Sequence, residues 1–314
     1  MNLQQLRYVY EVARQGLNVS EAAEVLFTSQ PGVSKQIRQF ESELGVEVFI
    51  RHGKRLVGIT EPGRHILTIA ERMLRDMDNL RQVGQDFSRE SEGNLSIATT
   101  HTQARYVLPS VIRGFLEQYP KVKLSIHQGN PRQVCEMVLS GEVDLAIATE
   151  MFAEYDDLVM LPCHQWNRCI IAVPGHPLLS ERPLSLEAIA RYPIITYDDA
   201  FTGRSLINKA FLGRGLKPNV VLTAIDSDII KTYVEMGLGI GILARMAFDS
   251  QQDTRLGMVD ASHLFELSTT RIGLRRNAYL RGYIYGFIER FAPQLNRRIV
   301  DIALTSNPSA DYQV

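Results

Sequence analysis

The chain has 314 residues, enough for two or three domains with substantial cores. Its 45% hydrophobic and 22% charged residues are those of an ordinary soluble protein, and a formal net charge of −1 excludes nucleic-acid binding by uniform basic charge. Contact with a polyanion would need a local cluster, and Lys35, Arg38, Arg51, Lys54 and Arg55 supply one within a short window.

Met1–Arg7 has no apolar core of signal-peptide length, and no later run is long enough to span a bilayer. A cytoplasmic protein without a membrane partner is therefore expected. Residues 18–44 read as a short helix, a tight turn and a second helix. Ser20 is a good N-cap before Ala22, Ala23, Val25 and Leu26. Ser29 can cap the second helix, with Pro31 in its first turn, where a missing N–H costs little. Val33, Ile37, Phe40 and Leu44 recur at helical spacing and form its buried stripe. The other face carries Gln30, Ser34, Lys35 and Arg38, which can reach base edges and phosphates from a major groove.

Alone, that segment also reads as an amphipathic hairpin with solvated charges. Its continuation favours DNA. Leu44-Gly45 is a helix C-cap, Val46–Ile50 and Leu56–Ile59 are short apolar runs, and Arg51-His52-Gly53-Lys54-Arg55 is a basic tip between them. This is a wing, whose cations gain by releasing counterions from the DNA backbone. Residues 1–59 thus read as a mostly α winged helix-turn-helix. Its DNA-facing residues would be Ser29, Gln30, Pro31, Ser34, Lys35, Arg38, Arg51, Lys54 and Arg55.

Thr60 caps a long helix over 60–92 with Pro62 in its first turn. Ile66, Ala70, Met73, Met77, Leu80, Gly84 and Phe87 alternate at four and three residues, the seam of a coiled coil over about three heptads. Arg72, Arg75, Asp76, Asp78 and Arg81 flank it, so the stripe is narrow. The helix either packs on its own domain or, as favoured here, joins two chains, since one helix-turn-helix reads only a half-site. A polar linker, residues 88–93, closes this part.

From residue 93 short apolar strands alternate with helices: Leu95–Thr100, a helix to Tyr119, Val122–His127, Gln133–Ser140, Val143–Thr149, Leu158–Leu161, Cys169–Val173, Leu186–Arg191 and Ile194–Tyr197. Arg204–Gly213, Val220–Ala224, Asp228–Met236, Ile240–Ala244, Arg271–Arg275 and Leu280–Phe291 continue the rhythm. It predicts parallel sheets flanked by helices, in two α/β subdomains that close on a ligand. Subdomain I is placed at 93–163 plus 268–302, subdomain II at 164–267, and a mobile tail at 303–314.

Catalytic motifs are missing: no Gly-x-Ser-x-Gly elbow, no Walker A loop and no paired-histidine metal site. Gly237-x-Gly239-x-Gly241 follows a helix and leads into a strand, the reverse of a nucleotide-binding turn. His101 has no visible Asp or Cys partner. Cys135, Cys163 and Cys169 lack metal-site spacing and read as buried thiols in a reducing compartment. No enzyme, metal or cofactor is expected. A binding constellation is better supported. Thr100-His101-Thr102-Gln103 stands where a strand ends and a helix begins, a place suited to an anion. Thr149 ends another strand at the same sheet edge, Thr202-Gly203-Arg204 opens a helix in subdomain II, and Trp166, the one tryptophan, falls near the crossover. The alternative is that these threonines merely cap helices.

The segments Leu3–Tyr8, Thr28–Gln36, Thr99–Tyr106 and Phe201–Ser205 carry a resemblance that covers the whole chain. The sequence resembles the LysR-type transcriptional regulators, within them the branch that controls cysteine biosynthesis and its relatives that control sulfonate use. The resemblance implies a periplasmic-binding-protein-like effector domain, promoter DNA and RNA polymerase as partners, and a homodimer through 60–92 that assembles to a tetramer. It also implies a cleft lined by Thr100, Thr102, Gln103, Thr149, Trp166 and Thr202 that takes acetylserine, sulfate or thiosulfate. Asp198 and Asp199 depart from the family pattern, and either would weaken anion binding if it faced the cleft. An anion-binding transport protein would share the effector fold, but the helix-turn-helix argues against it.

Overall fold

The computed structural model describes residues 1–53, 55–88, 92–149 and 155–306, with the backbone alone at 75, 82, 85–88 and 202. It separates into two units, Met1–Ser88 and Arg89–Val314.

In the first unit, α1 (Leu3–Arg14), α2 (Val19–Val25) and α3 (Gln30–Leu44) precede a two-stranded wing, β1 (Phe49–His52) and β2 (Arg55–Ile59). Helix α4 (Glu61–Ser88) follows. The cap of α2 is Asn18 rather than the expected Ser20; its side chain accepts from the N–H groups of Ser20 and Glu21. Ser29 caps α3 by accepting from Gly32, and Gly45 ends it at φ 71°, a conformation that favours glycine. The first wing strand begins three residues later than the sequence pattern suggested. The Glu41 carboxylate takes the N–H groups of Val48 and Phe49 at 2.9 and 3.2 Å, so the approach to β1 is fastened to α3. Val9, Val12, Val33, Ile37, Phe40 and Phe49 form the core.

The expected seam on α4 divides. Ala70 is fully buried, and Ile66 and Leu67 pack, within the unit's own core. Beyond it the stripe emerges: Met73 is 37% and Leu80 73% exposed. The first turns of α4 thus belong to the core of the first unit, and the exposed part of the stripe begins near Met73. Phe87 carries no described side chain.

The second unit contains β3 (Glu92–Thr99), α5 (His101–Tyr106), α6 (Leu108–Gln118), β4 (Lys121–Gln128), α7 (Pro131–Ser140), β5 (Leu145–Thr149) and β6 (Leu158–Trp166). Then come β7 (Arg168–Ala172), α8 (Leu186–Ile189), β8 (Ile194–Tyr197), α9 (Thr202–Leu212), β9 (Val220–Ala224), α10 (Ser227–Glu235) and β10 (Ile240–Ala244). Strands β11 (Gly257–Asp260) and β12 (Ser268–Arg275) and helices α11 (Gly282–Phe291) and α12 (Arg297–Thr305) complete it.

The sheets are ordered β4-β3-β5-β12-β6 and β11-β7-β10-β8-β9. Read from opposite edges, they share one scheme: the second strand from the edge, β3 or β8, runs parallel to both its neighbours. One strand in each sheet, β12 or β7, runs antiparallel to both its neighbours, so the sheets are mixed rather than parallel. In each sheet the reversed strand is the one that follows a crossing between subdomains, β7 after β6 and β12 after β11. Strand β6 pairs with β12 along its whole length, from Leu158↔Arg275 to Trp166↔Ser268. That pairing carries subdomain I past the expected boundary at 163 to Trp166. Strand β3 also starts earlier than expected, taking Glu92 and Gly93 out of the linker. The single helix expected to reach Tyr119 breaks at Val107, with Pro109 in the first turn of α6. The tail expected from 303 is helical to Thr305, because Ala303 and Leu304 are buried against the sheet core.

Candidate functional site

On α3, Val33, Ile37 and Phe40 turn inward, which leaves Gln30, Lys35 and Arg38 exposed on the opposite face. Ser29 and Pro31 are exposed at its first turn, and Ser34 is half-buried, accepting from the Gln30 amide at 3.3 Å. Arg55 is exposed on β2. Arg51 differs from expectation: its guanidinium donates to Glu41 at 2.6 Å and is one-quarter exposed, so it ties wing to helix. Lys54 lies outside the described residues. A residue the sequence pattern missed is Phe27, 98% exposed at φ 50° in the turn before α3. Two hydrophobic residues in succession, Leu26 and Phe27, gave no sign that only the first packs against the core.

In the second unit, β3 and β8 end facing a shared cleft, as strand topology requires of a ligand site in an open α/β sheet. It is lined by Thr100, Thr102, Gln103, Pro131, Thr149, Trp166, Tyr197, Phe201 and Gly203, with about 40 Å³ of room. That is space for roughly three ordered waters. Five of the expected side chains thus meet in one cavity. Thr202 heads α9 between Phe201 and Gly203, and its side chain lies outside the description. Asp198 is turned to the N–H of Ala200, and Asp199 is 81% exposed beside Arg204. Neither lines the cleft.

The polar groups here are buried and neutral. Thr100 caps α5 by backbone geometry, but its hydroxyl makes no capping bond, which leaves it for a ligand. Gln103 is 1% exposed, and its side-chain amide lies 2.9 Å from the Thr270 hydroxyl. The Trp166 indole N–H also goes to Thr270, at 3.2 Å, so this residue offers the cleft its ring. Tyr197 exchanges a hydrogen bond with Ser227 at 2.8 Å, and burial pushes its phenol above the ordinary value, so it stays protonated. Positive charge stands just behind: the Arg168 side chain is buried, donates to the Gly203 carbonyl and Ser268, and lies 5.2 Å from the Trp166 ring. Thr270, Tyr197 and Arg168 were not legible as site residues, because each lies within a strand and no local motif marks it.

The reverse face of α5 joins the subdomains a second way. Tyr106 donates to Asp228 of α10 at 2.5 Å, and Arg105 and Lys231 lie 3.1 and 3.4 Å from the same carboxylate. Burial pushes the Asp228 carboxyl up, but the Tyr106 bond and the two cations outweigh it and hold it below the usual range. His101, Asp226 and Asp228 approach one another within 4.8 Å, but the cations already beside Asp228 make that cluster unsuited to a metal. A larger hollow of about 580 Å³, walled by Ser185, Lys209, His263 and Glu266 among others, lies wholly on subdomain II. Movement of the two subdomains would leave it unchanged, and Lys209 is already paired with Glu266 at 2.6 Å.

Known proteins match both units. Residues 3–64 match the bacterial regulatory helix-turn-helix of the LysR family, and residues 88–296 match the LysR substrate binding domain. The chain is 56% identical to the HTH-type transcriptional regulator SsuR of Burkholderia cenocepacia, over 94% of this chain and 96% of that one. It is 53% identical to CysB of the same organism over 97% of each chain, and 44% identical to cbl of Escherichia coli over the whole of both. The solved cofactor-binding domain of the Cbl transcriptional regulator superposes with a TM-score of 0.67 at 41% identity, covering 69% of this chain and 95% of that one. No described helix is long and apolar enough to cross a membrane. Two family matches and full-length relatives named as regulators agree: the chain belongs to the LysR family of DNA-binding transcriptional regulators and is not an enzyme.

Proposed function

We propose that this LysR-type regulator controls genes of sulfur assimilation and cysteine biosynthesis from the cytoplasm, acting on RNA polymerase as an activator. Its relatives CysB, SsuR and Cbl are sulfur-related regulators, which supports that pathway. It binds promoter DNA as a homodimer joined beyond Met73, and two dimers form a tetramer. The carrying observation for the sensor is the small cleft of buried hydroxyl and amide groups at the first turns of α5 and α9. Such groups can hold a dehydrated small anion without leaving a bare carboxylate or cation when the site is empty. Room for about three waters suits sulfate or thiosulfate. An acetylserine inducer, roughly twice as large, would require the subdomains to part.

Calorimetric titration of the full-length protein with acetylserine, sulfate, thiosulfate and short sulfonates tests the reading. Binding of an inorganic oxyanion or acetylserine is expected; a chain that binds none of the four has another signal. Preference for sulfonates would favour the second reading, a regulator of sulfonate use, which the 56% identity to SsuR keeps in view.

A further inference from the structure

We infer that Thr270, which does not line the cleft, sets its chemical selectivity by holding the Gln103 amide with its NH₂ group toward the ligand. The inference rests on the proposed anion cleft and goes beyond it, to which anions the cleft accepts.

Thr270 stands at the centre of the subdomain I sheet, opposite Thr149 on one side and His164 on the other, and is fully buried. Its hydroxyl meets two nitrogens, Trp166 Nε1 at 3.2 Å and the Gln103 amide at 2.9 Å. An indole N–H can only donate, so the Thr270 oxygen must accept from Trp166. Its one hydrogen then has to go elsewhere. With the amide nitrogen placed against Thr270, two groups are wasted: the buried hydroxyl hydrogen finds no acceptor among the described residues, and Gln103 Oε1 is buried without a partner. The two ends of an amide have the same shape, and the hydrogen-bond count decides between them. Turning the amide over satisfies both at once: Thr270 donates to Oε1, and the NH₂ group faces the cleft.

The consequence is directional. Threonine hydroxyls rotate to suit a donor or an acceptor, the Tyr197 hydroxyl is already engaged by the Ala244 N–H and Ser227, and no carboxylate lines the cavity. Gln103 is the lining group whose polarity is fixed from behind, through Trp166 and Thr270. With NH₂ outward it favours a fully deprotonated oxyanion such as sulfate. Hydrogen phosphate, of similar size and charge, brings a P–OH that needs an acceptor, and an unmet polar group costs about tenfold to a hundredfold in affinity.

The test is calorimetric titration of the full-length protein with sulfate and with hydrogen phosphate at one pH. The wild type should bind sulfate at least about tenfold tighter. Thr270→Val keeps the shape but frees the amide, so sulfate affinity should fall and the ratio should narrow; Thr270→Ser should restore both. Gln103→Glu presents a fixed acceptor and should reverse the preference toward hydrogen phosphate, which keeps the test decisive should Thr270→Val melt at low temperature. Wild-type sulfate affinity and ratio in a folded Thr270→Val, unchanged sulfate binding in Gln103→Glu, or a wild-type preference for hydrogen phosphate would each overturn the inference and leave the cleft standing. A wild type that binds neither anion overturns the anion cleft as well.

Discussion

The proposed DNA-binding face and the proposed ligand cleft present their polar groups in opposite ways. Lys35, Arg38 and Arg55 are charged and exposed; Thr100, Gln103 and Thr149 are neutral and buried. Exposed cations cost nothing to keep without a partner, since water solvates them, and they act over about a Debye length. Their weakness is salt, which competes for every phosphate contact. A buried cation without its anion would be far more costly, several kcal/mol by rough measure. Neutral donors leave a smaller debt when empty, about 1–3 kcal/mol each. A protein that must be stable both with and without its signal is therefore better served by hydroxyls and amides in the cleft, and by charge on the surface.

The largest expected effect comes from separating the two chains that carry the DNA face. Met77→Glu places like charges across the proposed helix seam and should dissociate the dimer. Losing the second contact should weaken binding to a two-half-site operator by about 10²–10⁴ while ligand titrations stay unchanged. Light scattering with gel-shift assays would decide, and a mutant of wild-type mass would mean that α4 packs only on its own unit.

Next come single contacts on each side of the comparison. Arg38→Ala should cost about 1–3 kcal/mol in operator affinity, and Lys35→Ala should lower the salt slope by about one. Thr100→Val should cost the sensor about 1.5–3 kcal/mol with a charged ligand and leave the DNA affinity of the effector-free protein alone. Thr202→Val, at the head of α9, should do the same from the other wall. If either valine variant weakens effector-free DNA binding, the two regions are not independent in the way their separate cores imply.

The smallest effect is a pH dependence that should appear in the second unit alone. Asp228 is held below its ordinary value of 3.8, so its contribution is present above that pH and is lost as pH falls through the lower, folded value. Lys231 is the mirror case: burial pulls its ammonium down, the bonds to Tyr106 and Asp253 outweigh this, and its value rises above 10.5. That contribution is present below 10.5 and is lost only as pH rises through the folded value. Thermal melts of the full chain should show a transition for the second unit that Asp228 and Lys231 leave level across neutral pH. The same transition should lose its acid-side drop in Asp228→Asn. An unchanged acid limb would show that other carboxylates carry it.

Local signals were the readable ones. Ser29 and Thr60 cap helices by accepting from residues three positions on, and Gly45 ends one through its positive φ, so these local signals are legible in the sequence. Asn18 was overlooked because Ser20 is an equally good cap, and only the backbone path distinguishes them. The far end of β6 was missed because Pro162, His164 and Gln165 carry little strand character; pairing with β12, about a hundred residues on, imposes it. The cleft was half legible. Thr100–Gln103 lies in one contiguous block at a strand–helix junction, whereas Thr270 reaches Gln103 across 167 residues. The exposed part of the α4 stripe looked the same in sequence as the part buried at Ala70, because periodicity identifies a face without saying what covers it.

The three cysteines have a consequence for what kind of signal the protein can take. Burial pushes the Cys135 thiol up to about 11 and those of Cys163 and Cys169 up to about 12. At neutral pH, no more than about one thiol in ten thousand is then a thiolate, the form that peroxide attacks. The proposed sulfur signal would then reach this protein as a bound metabolite rather than through oxidation of its three thiols.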